Sequence, residues 1–395
     1  MATKPNITDS LQFPSNLNVT KSMTALGVVG LVASAVGYFI NHEQFFFSYL
    51  TSFTFYASIA LAALFFVMLQ HVTRSTWSVL VRRIPETISS NIWWWGLFLI
   101  PIFFGMHSLY HWSHESAVAG DPVLQGKEPW LNTPFFIIRQ IIYIGIWGFL
   151  GYRLHKNSVK MDETGDWGLQ TLLRRTSGPG IFIYAITVPF AAFDWLMSLD
   201  PHWYSTIFGV YFFAMSFQAF FAVMILMVLY FIRNGILSNS LNDSHIYDLG
   251  VLLFGFTIFY AYIAFSQYLL IYYANIPEET VWYYHRLHGG WEFIAWGFLL
   301  GRFAIPFLVL LPKKAKSNKT VVMAISILVV VVHFFELFWI VMPVLSESSF
   351  HFSWMDIAAF LGLGGSFFAL FFHRFKKHSI IPENDPKLAE CLNKH

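Results

Sequence analysis

The chain has 395 residues, 56% of them hydrophobic and only 12% charged, under half the ~25% charge of a soluble domain. That composition excludes an ordinary globular enzyme, and a net charge of +2 gives no reason to expect a nucleic-acid partner. The one cysteine, Cys391, excludes within this chain an internal disulfide, a C-x-x-C-H haem attachment and a cysteine-ligated iron–sulfur cluster.

Residues 1–20 are polar, and the apolar run after them lacks a small-residue cleavage site, so no signal peptide is expected. Ten apolar stretches follow, at 22–40, 47–70, 88–110, 134–152, 179–198, 205–232, 247–273, 291–311, 321–345 and 353–373. Each is about long enough to cross a ~30 Å hydrocarbon core at ~1.5 Å per residue. Of 24 Lys and Arg, 20 fall in the N-terminus, the tail and the 2–3, 4–5, 6–7 and 8–9 loops. The other five loops hold two, Lys127 and Arg286, while Arg139 and Arg302 fall inside stretches. This positive-inside pattern predicts an all-α polytopic membrane protein of ten transmembrane helices with both termini cytoplasmic. Residues 1–21 read as a cytoplasmic N-terminal segment, 22–373 as the ten-helix membrane domain and 374–395 as a cytoplasmic tail.

Loops 1–2, 5–6 and 9–10 have about six or seven residues, which makes those helix pairs antiparallel neighbours. At the outer end of the third stretch, His107, His111 and His114 stand at i, i+4 and i+7. Such spacing can present metal or haem ligands. His333, the one other candidate, lies mid-membrane, so the expectation is a hydrogen-bonding cluster with no metal. The longer outer loops, 111–133 and 274–290, complete a polar cluster of His107, His111, His114, Asp200, His202, His285, Arg286 and His288. Such a face docks a partner or exchanges protons near neutral pH. On the basic side, loop 153–178 contains DWGLQTLLRR, which reads as a short interfacial helix. The tail from Ile380 is polar and Pro-containing, and reads as extended on a partner or disordered.

The stretches also carry a weak repeat. Stretches 2–5 and 6–9 each read as a four-helix bundle, with 1 and 10 flanking. FAAFDWLM in the fifth matches HFFELFWIVM in the ninth, and Arg139 in the fourth matches Arg302 in the eighth. The two units run in parallel orientation. An ionisable side chain inside a membrane costs ~2.5–3.5 kcal/mol on insertion scales and needs a partner or a water path. This chain has Arg139, Asp194, Glu292, Arg302, His333, Glu336 and Asp356 there. Arg139 and Asp194 lie ~6–8 Å below the outer end, Arg302 and Glu336 ~14–17 Å. Matched depth predicts two buried pairs, Arg139–Asp194 and Arg302–Glu336. Either they hold helices together, or Arg139, Asp194, Glu292, Arg302, His333 and Glu336 form a proton path, with His333 one turn from Glu336. No spacing resembles a nucleophile with its base, a phosphate-cradling loop or a zinc protease motif, so no catalytic residue is assigned.

FAAFDWLMSLDPHWYSTIFGVYFF (190–213) and FSQYLLIYYANIPEETVWYYHR (265–286) resemble the F-subunit family of bacterial alternative complex III. That family is a branch of the polysulfide-reductase (NrfD) type of membrane subunit. The resemblance covers essentially all ten stretches. It implies two four-helix bundles with flanking helices, and a place in a quinol:cytochrome c or quinol:oxidase oxidoreductase of the bacterial inner membrane. It implies partners: multihaem and monohaem cytochromes c, an iron–sulfur subunit, a sister ten-helix subunit and, in some complexes, a terminal oxidase. Haems and iron–sulfur clusters would sit in those partners and none in this chain. The sister subunit is the better candidate for the quinol site, although a quinone or menaquinone pocket has been ascribed to this family too. The subunit would support quinol oxidation and proton translocation without being catalytic alone. Two other classes compete: a stand-alone proton-coupled secondary transporter, and a structural scaffold for haem subunits. A transporter favours inverted repeats and broken helices near the midplane. Haem-staining partners on purification favour the respiratory reading.

Overall fold

The computed structural model describes residues 9–14, 16–346 and 349–393. The first eight residues of the expected N-terminal segment and the last two of the tail lie outside them. Among the described residues there is no strand. Ten helices are long and apolar enough to cross a membrane: α1 (Val19–Ile40), α2 (His42–Thr73), α3 (Val79–Phe104), α4 (Thr133–Thr164), α5 (Gly168–Leu199), α6 (Phe208–Arg233), α7 (Asp243–Ala274), α8 (Trp291–Leu310), α9 (Lys319–Val344) and α10 (Trp354–Phe375). The protein is a multi-pass membrane protein.

Four helices are 32 residues long, about 48 Å at 1.5 Å per residue, and so overrun a ~30 Å core. The overrun lies mostly on the basic side and shrinks the loops. Residues 153–178 are not a loop with an interfacial helix. α4 continues to Thr164, Gly165 turns the chain at φ 67°, and α5 starts at Gly168. DWGLQTLLRR is therefore mostly the opening of α5. Polar helical turns beyond the hydrocarbon carry no apolar signal, which is why the sequence reading stopped short. The expected six-residue loop between α1 and α2 is likewise one residue, Asn41, whose side chain accepts from the Gln44 N–H at 3.1 Å. α3 is irregular: α-helix to Ser90, a break at Asn91, a 3₁₀ turn at Gly96–Leu99 and a last turn at Ile100–Phe104.

Packing follows a ring pattern. α2 packs on α3, α3 on α4, α4 on α5 and α5 back on α2. α6, α7, α8 and α9 close a second ring in the same way. α2 also touches α6, α9 and α10, so nearly all its side chains are buried. α1 lies outside, against α10, along a stripe of small residues. A Cβ added at Gly30 would lie 2.3 Å from Gly362 N, and one at Gly365 2.2 Å from Gly27 N. Small residues let membrane helices approach this closely, which gives dispersion and weak C–H···O contacts where lipid offers no hydrophobic drive.

The tail is neither extended on a partner nor without structure. Ile380 and Ile381 are buried, Ile380 N–H donates to Leu11 O at 2.9 Å, and Leu388–Leu392 is a short helix. The polar sequence hides this because its anchors are ionic. Asp385 accepts from Arg82 at 2.5 Å, and the Asn384 amide donates to Asp162 O at 2.6 Å. Cys391 is buried against the chain, its thiol 3.3 Å from Trp77 O.

Candidate functional site

The second ring carries a buried polar cluster. Arg302, His333 and Glu336 have no exposed surface. Arg302 stands in a six-residue π-helical segment, Leu299–Ala304, that interrupts α8. A π turn widens the helix by one residue and recurs at functional sites. The guanidinium spends its donors widely. Nε donates to Gln218 Oε1 at 2.9 Å and Nη2 to Met215 O at 2.6 Å. Nη1 donates to both Glu336 and His333 Nδ1, the latter at 3.1 Å. The Tyr260 ring stacks 4.3 Å from the guanidinium carbon. Glu336 accepts from Tyr211 and, at 2.6 Å, from Tyr260.

His333 has one assignable tautomer. Its Nδ1 accepts from Arg302, so its proton sits on Nε2, which donates to Ser58 Oγ at 2.9 Å. The Ser58 hydroxyl in turn donates to Phe55 O at 2.7 Å. This tautomer is assigned from the network. The imidazole thus ties the second ring to α2 of the first. With Glu336 ionised the cluster is neutral, as a dry site demands.

Polar groups continue in both directions. Toward the far end, Gln267 lies two turns beyond Tyr260 on α7, and its amide donates to the Tyr283 hydroxyl at 3.2 Å. Tyr283 and Ser205, 3.4 Å from Gln267 Oε1, are partly exposed. Toward the basic end, Gln218 donates to Thr257 Oγ1 at 2.9 Å. Ser326, two turns down α9, is buried with no hydrogen-bond partner for its hydroxyl.

Arg139 and Asp194 meet in the first ring by a different design. Arg139 is bidentate, Nε to Oδ2 at 2.9 Å and Nη2 to Oδ1 at 2.8 Å. Its third nitrogen, Nη1, donates to Trp130 O at 2.7 Å. Asp194 also accepts from Trp130 Nε1 at 3.2 Å, Gln140 Nε2 at 3.1 Å and the Tyr143 hydroxyl at 3.2 Å. A fork-on-fork pair with its lone pairs filled is rigid, and among the described residues no histidine hydrogen-bonds to it.

Two other intramembrane carboxylates of the sequence reading stay outside these clusters. Glu292 accepts from the Gly290 N–H at 2.8 Å and caps its own helix, so the structure does not join it to Arg302. Asp356 accepts from Ser353 N–H at 2.7 Å, as the capping box of α10, and from the Ser48 hydroxyl of α2 at 2.5 Å.

The far-end histidines are not on one helix face. α3 ends at Phe104, a four-residue turn (Met106–Leu109) carries His107, and Tyr110 is extended before His111 begins a 3₁₀ turn. His107 and His114 still meet, ring centroids 4.9 Å apart, and His114 Nε2 donates to His107 O at 2.8 Å. Among the described residues no group of His, Cys, Asp and Glu has the arrangement to hold a metal ion. His202 donates to Asp121, and this bond holds the Asp121 carboxyl below the usual carboxylate range. Lys127 donates to Pro201 O at 2.5 Å beside Asp200, and burial pushes its ammonium down. Arg286 is not on the exposed face at all. It is buried under the Trp282 ring, 4.0 Å away, and donates to Trp282 O and Ile340 O at 3.1 and 2.9 Å. His288 stacks on Tyr284 at 4.2 Å and His285 lies beside it. Trp203 stacked on Trp282 at 4.5 Å joins the two far-end segments.

Sequence reasoning missed a third ionic cluster, at the basic end. Glu86 is fully buried between Arg82 (3.0 Å), Arg83 (2.9 Å) and Ser158 (2.9 Å). Arg83 also pairs with Asp162, and Arg82 with Asp385. The signal was present: RRIPE holds an (i, i+3) and an (i, i+4) pair. The apolar run begins only at residue 88, so hydropathy alone places RRIPE in a loop. No family model matches the chain, and no curated protein matches it.

Proposed function

We propose that this chain is a cofactor-free, proton-handling membrane subunit of a bacterial respiratory quinol:cytochrome c or quinol:oxidase oxidoreductase, of the alternative complex III F-subunit type. The observation that carries the reading is Arg302, on a π turn, sharing one nitrogen between Glu336 and neutral His333. A permanently charged arginine that can release either partner is a switch. When it leans on Glu336, His333 Nδ1 is open to a proton; when it leans on His333, Glu336 can be protonated. Tyr211, Tyr260 and the Gln267–Tyr283 pair offer a route to the far face. Gln218, Thr257 and Ser326 lead toward the basic end. Arg139–Asp194, saturated and without a histidine, acts as a clamp.

In this reading the basic end faces the cytoplasm of an inner membrane, and the far-end loops face cytochrome, iron–sulfur or sister subunits. Haems, clusters and the main quinol site lie in those partners; a menaquinone contact in this chain is compatible with it. Two experiments test the reading. Affinity purification from the native membrane should bring down haem-staining polypeptides; a chain that purifies alone supports a proton-coupled transporter instead. A reporter inserted near Gly120 should behave as periplasmic, and a cytoplasmic signal there would invert the orientation.

A further inference from the structure

Where α2 ends, α5 begins and the tail crosses, the surface opens into a cavity of about 270 Å³, the room of roughly nine waters. Arg74, Arg82, Arg174 and Lys387 line it, and among the described residues no carboxylate does. Arg82 is engaged by Glu86 and Asp385 beneath the floor. Lys387 donates to Arg74 O, so the tail is fastened to the rim. Two further lining residues, Gln70 and His71, are each only 6% exposed. Gln70 Oε1 has no hydrogen-bond partner, whereas His71 Nε2 stands 3.9 Å from the buried Glu86 carboxylate. Buried polar atoms are nearly always paired, and an unpaired one costs ~1–3 kcal/mol. A pocket with surplus positive charge and one buried orphan acceptor, Gln70 Oε1, is shaped for an anion that carries a hydroxyl.

The pocket does not stand alone. A second cavity of about 150 Å³ shares Gln70 and Ser75 with it and runs between α2, α6 and α7. Its walls are apolar: Phe66, Phe217, Phe221, Leu252 and Phe256. A cationic cup opening into an apolar groove, at the end of membrane helices, matches an anionic amphiphile.

We propose that this cleft binds one anionic phospholipid with a hydroxylated headgroup, of the phosphatidylglycerol class. Arg74, Arg174 and Lys387 hold the phosphodiester, Gln70 Oε1 accepts from the headgroup hydroxyl, and an acyl chain lies in the Phe217–Phe256 groove. The bound lipid then links α2, α5, α7 and the C-terminal tail.

The test is native mass spectrometry of the full chain in detergent, titrated separately with phosphatidylglycerol, phosphatidylcholine, glycerol phosphate and inorganic phosphate. Phosphatidylglycerol should bind at one per chain, at least tenfold more tightly than phosphatidylcholine. The double change Arg74→Gln with Arg174→Gln should weaken it at least tenfold, both side chains being partly or fully exposed and so tolerant of replacement. Should that variant fail to fold, Lys387→Gln should weaken the same lipid severalfold. Leu252→Trp, which fills the groove, should weaken phosphatidylglycerol but leave glycerol phosphate unchanged. Equal binding of the two lipids, or no loss in the charge variants, overturns the proposal. Glycerol phosphate or inorganic phosphate binding as tightly as the lipid also overturns it, in favour of a soluble phosphate ligand.

Discussion

Arg302 and His333 meet across α8 and α9 at 3.1 Å, nitrogen to nitrogen, through the same guanidinium arm that grips Glu336. The contact fixes the neutral imidazole with its proton toward Ser58. It also makes the three residues one unit, so a change at any of them is felt by the other two.

The energetic consequence is an asymmetry between single and double changes. Arg302→Leu leaves Glu336 buried and charged, and should cost about 3–5 kcal/mol. Arg302→Leu combined with Glu336→Leu removes both charges and should recover most of that loss. Thermal unfolding in detergent, compared across the two single variants and the double, measures it. The Asp194→Leu change should behave as severely as the singles, whereas Tyr143→Phe, which deletes one of Asp194's several donors, should cost only about 1 kcal/mol.

The seam between α1 and α10 depends on the absence of side chains. A Cβ at Gly30 would fall 2.3 Å from Gly362 N and 2.5 Å from its Cα, both backbone atoms that cannot turn aside. Gly30→Leu should therefore pry α1 off α10. The expected loss is about 1–3 kcal/mol, and Leu26→Ala, at a partly exposed position on the same helix, should be close to neutral. Yield and melting temperature of the two variants separate the outcomes.

Docking of the tail should weaken in acid. Burial, with help from the Arg83 cation, pushes the His378 imidazole below its ordinary 6.5. Arg374 and Lys377 push the same way, and Glu163 opposes them. The docked tail therefore holds the neutral ring, and the released tail takes up a proton more readily. Stability is complete above about 6.5 and falls as pH drops below it. Limited proteolysis after Lys377 should be faster at pH 5 than at pH 7.5, and His378→Gln should flatten that dependence. Equal rates for the wild type at both values would show that the ring does not control docking.

How much of this was legible in the residues depends on depth and continuity. Arg302 and Glu336 could be matched because both lie inside long apolar runs, where helical rise converts sequence offset into depth. Arg139 and Asp194 could be matched for the same reason. The Glu86 cluster is hidden from hydropathy, because Val79–Ser90 is polar enough to read as loop and is buried by packing against α2, α4, α6, α10 and the tail. The tyrosines on Glu336 were invisible as well: Tyr211 and Tyr260 sit on α6 and α7 among many aromatics, and only packing selects them. The histidine triad failed for a local reason, since Gly105 and the extended Tyr110 break the helix that the spacing assumed.

The most direct measurement of the proposed function is quinol-driven proton movement in liposomes by the complex that the proposal expects to purify with this chain, wild type against Glu336→Gln. Glutamine keeps the volume, and its single carbonyl oxygen can still accept from the Tyr211 and Tyr260 hydroxyls, while Arg302 keeps Gln218, Met215 O and His333 as acceptors, so assembly should survive. On the proposed respiratory reading, in which partner subunits carry quinol oxidation, that activity should continue. Protons moved per electron should fall severalfold, and His333→Leu should lower them too. Full proton movement in both variants, with intact assembly, would contradict the account and leave Arg302, His333 and Glu336 as a purely structural knot.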